Sequence, residues 1–160
     1  MSLKPFFVDW LQNLPLSTAI RDSVWIYAVD QSMHLVVLTI LAGAILIVDM
    51  RLLGLGVKRQ PVAQVARDAQ PWLIGGLLGM VATGIPQLMS NATKEYYSPF
   101  YWQKMEFLLA ALIFTFTIRR SITLADEARV GPFWGKLVGL VSIVLWSGVA
   151  ISGRLIGLLS

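Results

Sequence analysis

The sequence has no cysteine, one histidine, and charged side chains at only 14% of its 160 positions. Without cysteine there are no disulfides, no thiolate catalysis, no iron–sulfur cluster and no cysteine-ligated zinc, and redox compartment leaves no trace. A lone histidine excludes bis-histidine haem ligation within one chain and a zinc site of the usual ligand count. The sequence also lacks a Gly-rich phosphate loop, a nucleophile elbow, paired metal-binding histidines, low-complexity tracts and internal repeats. GLGV at 54–57 reads as a helix C-terminus followed by a turn, because no strand precedes it.

Apolar residues supply what charge does not. They make up 56% of the chain, with a mean hydropathy of +0.69. A soluble domain carries about 25% charged residues, so this much apolar surface requires lipid as its outer solvent. The formal charge of +4 does not point to nucleic acid. Its basic residues lie in short segments between apolar runs, as topology signals do.

A spanning helix needs about 20 predominantly apolar residues. Four runs qualify, at about 24–48, 72–89, 100–118 and 133–159, with Ser17 or Thr18 as N-cap of the first helix. They are too long for strands and lack two-residue alternation. The N-terminus has one early Lys4, no sustained apolar region and no small-residue cleavage site, so a cleavable signal is not expected. Residues 5–14 place Phe6, Phe7, Trp10, Leu11 and Leu14 on one side of a short interfacial helix bounded by Pro5 and Pro15. The expected fold is all-α: a single polytopic membrane domain, 1–160, built as an antiparallel bundle of four transmembrane helices behind that interfacial helix.

Arg51, Lys58, Arg59 and Arg67 crowd the first connection, and Arg119, Arg120, Arg129 and Lys136 the third, whereas the second has only Lys94. Loops one and three are therefore expected on the cytoplasmic side, with both termini outward. Trp25, Tyr27, Tyr96, Tyr97, Tyr101 and Trp102 would form an outer aromatic belt, and Trp72 and Trp134 an inner one. Gly75 and Gly79, then Gly131, Gly135 and Gly139, then Gly153 and Gly157, are spaced for close helix approach in lipid. Pro86 is expected to bend the second helix.

Ionisable groups inside a span are costly and usually face partners. Asp30 and His34 share a face of the first helix, and His34 lies about 15 Å along it from Val24. Antiparallel threading brings Gln87 and Asn91, Lys104 and Glu106, and Arg154 to the same outer level. The pattern suggests one cavity lined by Asp30, His34, Gln87, Lys104 and Arg154. Simpler readings stand beside it. Lys104 and Arg154 could snorkel to the interface, Arg154 could pair with Asp30 or Glu106, and His34 could donate to a neighbouring helix carbonyl. At the inner surface Asp49 is expected to pair with a basic residue of the third helix or first loop, and Arg51, Arg119 and Arg120 to report orientation.

A neutral imidazole in a membrane suits haem iron, with Lys104 or Arg154 as propionate partners. Copper on Met33 and His34 is a weaker fit, since methionines are common packing residues. MHLVVLTILAGAILIVDMRLLGLG (33–56), QKMEFLLAALIF (103–114) and WGKLVGLVSIVLWSGVAISGRLIG (134–157) resemble a bacterial inner-membrane family of unassigned function. More distantly, His34, Ala42-Gly43, Arg51-Leu52 and Lys104 are similar to HemJ-type protoporphyrinogen oxidases and CopD-type copper-resistance membrane proteins. That resemblance implies haem or porphyrin binding at His34 and Lys104, with Arg51 the matching arginine. The expected function is an inner-membrane protein holding haem b or a related porphyrin on His34, with Lys104, Arg154 and Asp30 around it, for electron transfer. The alternatives are a cofactor-free accessory subunit, homo-oligomeric or part of a membrane complex, and a proton path through Asp30, His34 and Glu106.

Overall fold

The structure is a computed structural model that describes residues 3–56, 58–125 and 127–159. Val57, the last residue of the GLGV segment, lies outside the described residues. Among the described residues four helices are long and apolar enough to cross a membrane: Val24–Leu53, Val62–Ser90, Pro99–Leu124 and Glu127–Leu159. Each extends beyond the apolar run that marks it, so Arg51 and Arg67 sit on helices and not in a loop. Among the described residues there is no strand.

The helices are α1 (Pro15–Asp22), α2 (Val24–Leu53), α3 (Val62–Ser90), α4 (Ala92–Tyr97), α5 (Pro99–Phe114), α6 (Arg120–Leu124) and α7 (Glu127–Leu159). A π-helical turn, Thr115–Arg119, joins α5 to α6, making one continuous third span. The bundle is antiparallel. Its upper end holds the N-terminal segment from residue 3, the end of α7 and the α3–α5 connection, and its lower end the other two connections. The closest partners are α2 with α3, α5 with α7, and α2 with α7.

Local chemistry sets the boundaries. Ser23, and not Ser17 or Thr18, caps α2, its hydroxyl accepting from Ile26 N at 3.4 Å. Ser17 and Thr18 lie inside α1, which Pro15 opens with a preset φ and no N–H to lose. The interfacial segment is thus divided: Pro5–Leu11 is a π-helical turn, and Pro15 starts a separate helix. Its face is divided too. Phe7 and Leu11 pack against Ala92 and Tyr101, while Phe6 and Trp10 stay exposed and stack on each other. Gln12 Oε1 accepts from Thr93 N at 3.0 Å, satisfying a first-turn donor of α4. These segments close the upper end.

At the lower end α2 stops at Gly54, whose φ of 76° suits glycine, and Leu55 N returns to Met50 O at 2.9 Å. The α3 helix continues through Pro71 and Pro86. Glu127 joins two connections: its Oε1 accepts from Val62 N at 2.7 Å, at the start of α3, and from Arg51 Nη2 at 3.3 Å. In α7 the backbone departs from helix at Gly131, φ 72°, just before Pro132.

Glycines set the helix spacing, though not all those the sequence spacing picks out. Gly76 and Gly79 abut Leu41 and Val37 of α2, and Gly135 and Gly139 abut the α2 backbone at Leu52 and Asp49. Gly75 and Gly157 face open space, and Gly131 makes the kink.

Candidate functional site

Two polar levels lie inside the bundle. The lower one joins three spans around Asp49, which is completely buried. Arg119 Nε donates to Asp49 Oδ1 at 2.8 Å, and Ser142 Oγ donates to Oδ2 at 2.7 Å. Arg119 Nη2 also donates to Ile45 O at 3.0 Å. The π-helical turn carries Thr115 and Arg119 inward together, and Thr115 Oγ1 accepts from Trp146 Nε1 at 3.1 Å. Asp49 therefore pairs with the third helix, as its position suggests. Arg119 is a buried ion-pair partner, whereas Arg120 is exposed. Both carboxylate oxygens are partnered, so this level holds helices together and offers no open valence.

The upper level is incompletely satisfied. His34 is half-buried, and its Nδ1 lies 2.6 Å from Thr83 Oγ1 on α3. That hydroxyl also lies 2.8 Å from Gly79 O, to which it can give its one proton. In that arrangement it accepts from the ring, Nδ1 carries the imidazole proton, and Nε2 keeps its lone pair. Metal-bound histidines are arranged in this way, with one ring nitrogen fixed by a hydrogen bond and the other free to ligate. Gly84 lies beside the ring edge, where a Cβ would make an ordinary contact of 3.6 Å with His34 Cε1.

One turn above, Asp30 Oδ2 and Gln87 Nε2 are buried without a hydrogen-bond partner. Leaving such a group unsatisfied costs about 1–3 kcal/mol, so two at one level contrast with the fully partnered Asp49 below. Lys104 and Asp30 both act electrostatically on His34. The Lys104 stem runs over Gly153, where an added Cβ would lie 3.7 Å from Cδ and Cε. Asp30 and Gln87 thus stand one turn above His34, and Lys104 acts on the same ring from the third span. Arg154 and Glu106 are exposed on α7 and α5 and show no ion pair with Asp30 or with each other. Among the described residues no three His, Asp or Glu side chains gather as a metal ion would need. Copper would therefore depend on methionine.

Two contributors were not visible in the sequence. Thr83 sits one turn before Gln87 on the same face, a spacing that could have flagged it. Glu95 lies in α4, in what reads as a loop, and Lys104 and Lys94 act on it. Burial lifts the Glu95 carboxyl above its ordinary value of 4.5, and the two lysines oppose this only in part. Between that value and its raised folded one, the folded protein holds the extra proton, so stability falls as pH rises through this window. Glu95→Gln removes the slope. Thermal unfolding in detergent should show the variant gaining on the parent as pH rises above the ordinary carboxyl value of 4.5; an identical pH profile would contradict the assignment.

Residues 7–159 match a family of unknown function, DUF6644. The chain belongs to that family. The match covers both polar levels and all four spans. No curated protein and no solved structure matches the chain. The likeness to HemJ-type and CopD-type proteins rests on the quoted residues alone, and of these Arg51 lies at the lower end, bound to Glu127 and Gln60 O.

Proposed function

We propose that this DUF6644 member is a multi-pass protein of the bacterial inner membrane that holds haem b or a related porphyrin in its upper half for electron transfer. The observation carrying the proposal is the His34–Thr83 hydrogen bond, which leaves Nε2 as an available ligand nitrogen inside a span. The residues present fit such a group. His34 would hold the iron, Lys104 would meet a propionate, and exposed Arg154 would stand at the rim. Bound iron would supply one-electron chemistry. The chain's own part is to fix the imidazole tautomer, keep the site within apolar helices and set the local charge through Asp30 and Lys104. The Lys and Arg distribution supports an upper end facing outward with both termini. The exposed apolar faces serve lipid, a second copy or another subunit of a membrane complex.

The test is an absorption spectrum of detergent-purified protein supplied with haemin, oxidised and reduced. A Soret band that shifts on reduction and disappears in His34→Ala is expected. Thr83→Val, which releases Nδ1, should weaken haemin binding about 10–100-fold. A protein that stays colourless with haemin, or a band indifferent to His34, ends this reading. A cofactor-free accessory subunit is the second reading, favoured by the Asp49–Arg119–Ser142 cluster, where buried charge already serves only to join helices.

A further inference from the structure

The upper level contains a second feature that the imidazole does not use. The α2–α3 seam has a regular antiparallel register: Gly76 lies against Leu41, and two turns higher Thr83 meets His34. Four residues further along each helix, the same register sets Asp30 opposite Gln87. Each has a buried atom with no partner, and the two differ in kind: Asp30 Oδ2 accepts, whereas Gln87 Nε2 donates. They do not bond each other. One atom satisfies both if it donates a proton and accepts one, and that atom is a hydroxyl oxygen.

We propose that Asp30 and Gln87 form a hydroxyl-binding subsite for a lipid-soluble quinol. Three features select this class over a simple alcohol or water. The subsite lies within a span, and its flanks expose Val29, Met33 and Ile85, so its occupant arrives from hydrocarbon on an apolar body. A second polar level, His34 with Lys104, lies one turn lower, about 5.4 Å away along the helix, where it meets an oxygen on the opposite side of a ring. A quinol carries one oxygen at each end of a flat apolar ring, and a chain alcohol carries only one. Gln87 donates to the upper hydroxyl oxygen, Asp30 accepts its proton in a hydrogen bond, and the lower oxygen faces Lys104 or the imidazole. The inference concerns binding and does not rest on the porphyrin reading.

The test uses the full chain without added haemin, purified in a detergent that carries no hydroxyl groups. A short-tailed benzoquinol, kept reduced under argon, is titrated by calorimetry, in parallel with its dimethyl ether and with dodecanol. Saturable binding of one quinol per chain is expected, weakened at least tenfold for the ether, for dodecanol, and in Gln87→Leu and Asp30→Leu, roughly 1.4 kcal/mol or more. The ether comparison needs only the parent protein, so it stands even where a variant misfolds. Equal affinity for quinol and ether, dodecanol binding as tightly as quinol, folded variants that bind like the parent, or no saturable binding (the pair satisfied by water) would each overturn the proposal.

Discussion

Arg119→Met should destabilise the folded bundle by about 3–5 kcal/mol, the cost of leaving a buried charge without its partner. The magnitude follows from where Asp49 sits. Its side chain has no exposure, both oxygens are hydrogen-bonded, and one of the two donors is removed. Ser142 alone cannot offset an anion in surroundings this apolar, so the carboxyl must either take up a proton or draw in water. Asp49→Leu alone strands the guanidinium in the same way. The double variant Asp49→Leu/Arg119→Met removes both charges and should recover most of the loss, since apolar replacement of a buried pair is often neutral or better. Arg120→Met changes an exposed side chain next in sequence and should stay within about 0.5 kcal/mol of the parent. Unfolding in mixed micelles with increasing denaturing detergent orders the four proteins. Arg119→Met matching Arg120→Met in stability would show that the ion pair does not hold the spans together.

Gly76→Ala should cost about 1–3 kcal/mol, as overpacking does in a filled interior, while Gly75→Ala should be neutral or slightly stabilising. A Cβ at 76 would come within 2.9 Å of Leu41 Cβ and 3.1 Å of its Cα, so a backbone has to move. At 75 the same atom meets nothing within 4 Å, and alanine is intrinsically the better helix former by about 1 kcal/mol. The same unfolding assay reads both. Because Thr83 and His34 lie further along this seam, Gly76→Ala should also weaken haemin or quinol binding, and Gly75→Ala should not. Equal behaviour of the two would mean that α2 and α3 are not packed through Gly76.

That pair also shows how far the sequence could be read. Spans, their antiparallel order and the need of Asp49 for a cation followed from hydropathy, loop length and the cost of buried charge. Which face of each span points inward did not. In water an apolar stripe marks the inner face, but in lipid both faces are apolar, and Gly75 and Gly76 look equally able to make a contact. The same blindness concealed Thr83, whose hydroxyl could as well have bonded only its own helix. That Arg119 and not Arg120 meets Asp49 was hidden because the π-helical turn that carries it inward has no mark in composition. The N-terminal boundaries failed for another reason. Ser17, Thr18 and Ser23 are all competent caps, and only Pro15 starting its own helix decides among them. For the upper level, Asp30, His34, Gln87 and Lys104 were legible as expensive residues at one depth. Arg154 has the same depth on an outward face, and depth was all the sequence offered.

Glu127 reaches back 65 residues to Val62 and 76 to Arg51, from the last connection to the first. Both ends of that contact must lie on the same side of the bilayer, so it can form only when an even number of crossings separates them. A chain that failed to insert one hairpin helix would leave an α3 start without its acceptor and an arginine without its anion. The contact is thus sensitive to threading parity, and it closes only after the third span has carried Glu127 back to the side where α2 ends.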